Sequence, residues 1–134
     1  MKKLIVIFSF VFCSGCATLW DAPKNIVGFS TKDMEDARSE SLYQSYQGDF
    51  LGIFQAIIEI ANENKYYVFS QDEVRGMAII MNIPGAVDTT EVGVFLTSLD
   101  TGNVKVELSS RSAPAKKTVA QVLFLDLGKK FKKI

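Results

Sequence analysis

Apolar residues recur along this chain with two different periods. Phe50, Ile53, Phe54, Ile57, Ile58 and Ala61 fall at the i, i+3, i+4, i+7 spacing of one helical face, with Glu59, Asn62 and Glu63 opposite. Asp49 stands where an N-cap belongs, and Asn64-Lys65 closes the pattern. Downstream the period shortens to two. Residues 66–71 are aromatic and β-branched, 77–83 form an apolar run, and 90–99 form a third strand. In 104–110 the alternation is strict: Val104, Val106 and Leu108 are predicted to face inward, and Lys105, Glu107 and Ser109 outward. Asp72-Glu73-Val74-Arg75-Gly76 and Asp100-Thr101-Gly102-Asn103 have turn chemistry, and 84–90 is a longer loop. Ser112 and Pro114 open a last helix whose apolar stripe is Ala120, Leu123, Phe124, Leu127 and Phe131. Upstream, 41–47 reads as a short strand through Leu42, Tyr43 and Tyr46, and 31–40 as a short helix, with Ser30 or Thr31 as its cap.

The order β-α-β-β-β-β-α satisfies every apolar stripe in one way: an α+β domain of two layers. An antiparallel sheet of four to five strands carries two helices on one face, and short turns enforce the antiparallel pairing. The other face is expected to meet water, so truncating the outward Lys105 is expected to cost little next to truncating Phe54 or Leu123. A chain of 134 residues is one domain, and 48% hydrophobic content suffices for its core.

The first fifteen residues belong to a different pattern. Met1-Lys2-Lys3 is a short positive region, Leu4 to Phe12 is apolar except for Ser9, and small residues follow. This is the three-part arrangement of a signal peptide, and the run is about half the ~20 residues of a membrane-spanning helix. The other readings are a signal peptide cut elsewhere and an uncleaved apolar anchor. Cys13-Ser14-Gly15-Cys16 resembles the lipobox of bacterial lipoproteins, departing from it where Cys13 replaces the usual Leu. The resemblance implies that Cys16 carries a diacylglyceryl thioether and becomes the new N-terminus. Two acyl chains hold a protein at a membrane where one does so marginally. By the same resemblance Ala17, not being Asp, implies the outer membrane facing the periplasm. The division is then 1–15 signal peptide, 16–40 lipidated N-terminus and tether with a short helix, and 41–134 domain. Trp20 in the tether suits either the membrane interface or packing on the domain.

Charge narrows the function classes. The chain has 15 basic and 15 acidic side chains, but residues 16–115 are acidic and 116–134 carry six lysines against Asp126 alone. Basic residues confined to one end give no nucleic-acid footprint. The tail Lys129, Lys130, Lys132 and Lys133 around Phe131 complements a helix C-terminus, or contacts an anionic lipid or envelope polymer. With no histidine the commonest general base and metal ligand are missing, and with them the ordinary serine triad. Cys13 and Cys16 are spaced C-x-x-C but close an apolar run, without the context of a redox or metal pair. Asp72, Glu73 and Arg75 at one turn and Asp88, Thr89, Thr90 and Glu91 in a polar loop are candidate acid–base or hard-cation groups, but turn chemistry and solvated charge explain both clusters without function. Gly93 inside a strand marks a bulge or close packing. No catalytic residue, metal site or cofactor is expected.

The run 41–123 also resembles an uncharacterised family of small bacterial lipoproteins. The shared pattern is a short strand leading to Asp49, the apolar helix, and an aromatic strand reaching Asp72 and Gly76. Asp88-Thr89-Thr90-Glu91-Val92-Gly93-Val94-Phe95 and Lys105-Val106-Glu107-Leu108-Ser109-Ser110 complete it. The element order is similar to the helix-grip domains of a lipoprotein component of the β-barrel assembly machinery, which implies fold and not function. The expected role is a lipid-anchored, non-catalytic envelope module binding another envelope protein. The alternative is a carrier holding a small apolar ligand in the crevice between sheet and helices, which needs a cavity of a few hundred Å³.

Overall fold

The computed structural model describes residues 32–100 and 102–134. The signal-peptide reading, Cys13, Cys16, Ala17, Trp20, the cap at Ser30 or Thr31, and Thr101 lie outside the described residues. A short helix α1 (32–36) runs into a 3-10 turn (Ala37–Glu40), followed by β1 (Leu42–Gln47) and α2 (Phe50–Glu63). Then come β2 (Tyr67–Asp72), β3 (Met77–Met81), β4 (Val92–Asp100), β5 (Asn103–Ser109), α3 (Ala113–Lys130) and β6 (Lys132–Lys133).

Both long helices begin at the expected caps. The Asp49 carboxylate accepts from Gly52 N at 2.9 Å, and the Ser112 hydroxyl from Ala115 N at 3.3 Å. Helix α2 ends in a Schellman arrangement: Tyr66 N donates to Ala61 O at 2.9 Å and Lys65 N to Asn62 O at 3.0 Å. That closure puts Lys65 at φ 60, a left-handed position where glycine is usual.

All strands pair antiparallel in the order β2-β3-β4-β5-β1-β6. The chain crosses from β1 through α2 to the far edge, returns by the meander β2 to β5, and closes against β1. The sheet has six strands, where the sequence pattern predicts four to five. The addition is β6, whose Lys132 and Lys133 pair with Gln47 and Tyr46 of β1. Phe131 causes this: it caps α3, donating its N–H to Leu127 O, and its ring lies against the Gly48 backbone that follows β1.

Helices α2 and α3 pack on each other and on one face of the sheet. The core lies between them, with Ile53, Ile57, Val94, Val106, Leu108 and Leu127 fully buried. Phe54 and Leu123 are buried there too, 3% and 1% exposed. Each such side chain contributes roughly 1.5–3 kcal/mol by leaving water. Tyr46 is fully buried; burial pushes its phenol up to about 12, and its hydroxyl donates to Phe124 O at 3.1 Å.

The opposite face departs from expectation. Lys105, Glu107 and Ser109 do point away from the core helices, but Glu107 and Ser109 are buried, as is Phe95 beside them. The cover is the segment 32–40, which folds back across β4 and β5. Gly93 makes this approach possible, since a Cβ there would stand 3.1 Å from the Met34 side chain. Its role is therefore close packing.

Candidate functional site

Period-two alternation places Gly93, Phe95 and Thr97 of β4 on the outer face with Lys105, Glu107 and Ser109 of β5. Register carries the same face through Met77, Ile79 and Met81 of β3 to Tyr67 of β2, and on the other side to Tyr43 of β1. Segment 32–40 divides this face into a covered half and an open half.

The covered half is clamped by polar groups. Arg38 pairs with Glu107, and its guanidinium carbon lies 4.6 Å from the centroid of the Phe95 ring. Lys105 reaches the same carboxylate at 3.4 Å and stands 5.8 Å over the Tyr43 ring. The Ser41 hydroxyl donates to Glu107 at 3.4 Å, and the Ser109 hydroxyl to Met34 O at 2.8 Å. Asp33 pairs with Arg111 at 3.1 Å, and buried Lys116 donates to Glu40 O. Burial pushes the Glu107 carboxyl up, but the hydrogen bond and charge of Arg38, aided by Lys105, outweigh it and hold the group below the ordinary carboxylate range. Sequence reasoning missed this network. The outward apolar Phe95, unexplained on a wet face, and Gly93 within the same strand are its signals.

The open half is apolar. Tyr67 and Phe69 stand edge to face, ring centroids 6.4 Å apart, and are 54% and 46% exposed. Met77 and Met81 are half-buried beside them, and Ile79 is buried. A bulge between Val68 and Ser70 makes Phe69 an extra residue on this face. Strand β2 is the outermost strand, with no described neighbour beyond it.

On the core side of the same edge, α2 and β2 enclose a groove of about 490 Å³ lined by Phe54, Gln55, Ile58, Glu59, Gln71 and Glu73. It opens to the surface, and its rim carries carboxylates. The structure thus brings Glu73 to the groove and keeps Asp72 and Arg75 in their own turn. There Asp72 accepts from Arg75 N at 3.0 Å and approaches the guanidinium at 3.7 Å. Gly76 closes that turn at φ 66, where a Cβ would lie 2.5 Å from the Phe50 ring.

The polar loop is not gathered with this turn. Asp88 is exposed, whereas Thr89, Thr90 and Glu91 line a separate cleft of about 350 Å³ with Asp33, Met34, Ser110, Arg111 and Ser112. The Glu91 carbonyl accepts from Ser110 at 2.6 Å. Among the described residues no three His, Cys, Asp or Glu side chains are grouped to hold a metal ion.

In the last turn of α3, Lys129 pairs with Asp126 at 2.7 Å and Lys130 reaches across to Glu59 of α2 at 3.2 Å. Lys132 and Lys133 are exposed on β6. The four lysines are thus not one free patch: two are engaged by helix carboxylates and two guard the sheet edge. No helix among the described residues is long and apolar enough to cross a membrane. No protein-family model matches this chain, and no curated protein matches its sequence.

Proposed function

We propose that this chain is a lipid-anchored protein of the bacterial cell envelope, held through Cys16 on the periplasmic side of the outer membrane and acting as a non-catalytic binding or assembly module. The observation that carries the anchor is the lipobox-like Cys13-Ser14-Gly15-Cys16 directly after a short apolar run. The binding role is supported by the exposed Tyr67–Phe69 pair on the uncovered half of the sheet, since aromatic residues are enriched where proteins meet. The partner is another envelope protein, and neither a cofactor nor nucleic acid enters the role. Lys132 and Lys133, exposed on β6, add attraction to an anionic surface, while Lys129 and Lys130 are engaged by Asp126 and Glu59. The groove beside β2 does not favour the carrier reading, because its rim bears Glu59 and Glu73.

The test is replacement of Cys16 by Ser, followed by metabolic fatty-acid labelling and membrane fractionation. Labelling should be lost and the protein released from membranes. Unchanged labelling with unchanged retention would overturn the anchor.

A further inference from the structure

We propose that the edge of β2, which has no neighbour among the described residues, receives an extended segment of a partner protein in which basic and apolar side chains alternate. This rests on the reading of the domain as a binding module and names the chemistry of what it binds.

The two edges of the sheet are built differently. At one, β6 is only two residues long and both are lysines, charges that discourage a further strand. At the other, β2 spans six residues, Tyr67–Asp72, with neither lysine nor proline. Its one guarding feature is the bulge, which sharpens the local twist but also adds Phe69 to the outer aromatic surface. A strand laid against this edge gains main-chain hydrogen bonds, the usual source of affinity in strand addition.

Specificity follows from the period of two. One set of side chains on an added strand would face outward beside Tyr67 and Phe69, which offer an apolar surface. The alternate set would enter the groove beneath α2. The groove wall holds Phe54 and Ile58; its rim holds Glu73 and also Glu59, whose carboxylate already pairs with Lys130 in an exposed ion pair. A lysine or arginine fits both, its aliphatic stem on the wall and its charge at the rim. A second copy of β2 fits badly. Edge-to-edge pairing would bring its own Glu73 toward the same acidic rim, and like charges brought together oppose binding.

The test uses the full lipidated chain in detergent micelles and a synthetic peptide of alternating lysine and valine. Two control peptides replace lysine by glutamate, or carry the same residues in two blocks. Amide exchange over residues 67–72 should slow about tenfold or more with the alternating peptide and stay unchanged with either control. Reversal of the exposed acid Glu73→Lys, which leaves the Lys130–Glu59 pair intact, should weaken binding about fivefold or more, and Phe69→Lys should weaken it as well. Unaltered exchange at 67–72, equal binding of the glutamate peptide, or β2 protection that appears with protein concentration alone would each overturn the proposal. Photo-crosslinking groups placed at 69 and, separately, at Leu125 on α3 distinguish the two readings in intact envelopes. Protein crosslinks from 125 but not from 69 would sink the β2 site and leave the binding module standing. Crosslinks from neither would count against both.

Discussion

The Arg38 guanidinium pairs with the Glu107 carboxylate, 69 positions away, while lying over the Phe95 ring. One side chain thus neutralises a buried acid and covers an apolar residue on the face away from the core. Removing it leaves Glu107 desolvated with only Lys105 and Ser41 beside it. We expect Arg38→Ala to cost about 1–3 kcal/mol, less than a fully buried pair would lose because Arg38 is partly exposed. Amides in 32–40 should also lose protection first. Arg38→Lys should recover only part, because an ammonium lacks the planar fork. Denaturant melts with hydrogen exchange check both. Full stability in Arg38→Ala would mean that the clamp contributes nothing.

The same pair makes stability depend on pH. The folded Glu107 carboxyl titrates below its ordinary 4.5. Its contribution is therefore fully present above pH 4.5 and is lost as pH falls from there through the lower folded value. Thermal melts of the wild type and Glu107→Gln should differ most near neutral pH and converge on acidification. A gap that widens in acid would contradict the assigned direction.

Phe54→Ala and Leu123→Ala should each cost roughly 2–5 kcal/mol, since both leave cavities between a helix and the sheet. Lys105→Ala should cost about 1 kcal/mol. That exceeds the small change expected of an outward residue, because Lys105 contacts both Glu107 and Tyr43. Urea titrations of the three variants give the ranking. Equal losses at Lys105 and Phe54 would contradict the two-layer core.

Lys65 holds a left-handed conformation at the end of α2 that glycine adopts without strain. We expect Lys65→Gly to raise stability by about 0.5–1 kcal/mol, offset in part by the greater freedom of glycine in the unfolded chain. A loss of stability would show that the lysine side chain contributes more than its backbone strain costs.

The elements other than β6, and the inner core, were determined by sequence alone. The helical stripe from Phe50 to Ala61, the alternation of Val104, Val106 and Leu108, and the caps Asp49 and Ser112 are local signals. Periodicity reports which side of an element is apolar, and a capping group acts within one turn. The lipobox-like stretch is equally local, and it lies outside the described residues. What only the tertiary structure decided is the fate of the second sheet face. Strand period says that Glu107 and Ser109 point away from the helices, but not what lies above them. That depends on the path of 32–40, on the absent Cβ of Gly93 that admits Met34, and on a charge partner far along the chain. The β2 edge was hidden for the same reason: Tyr67, Phe69, Glu59 and Glu73 read as an ordinary strand, helix and turn. They share one edge only because the chain crosses the whole sheet before its meander begins.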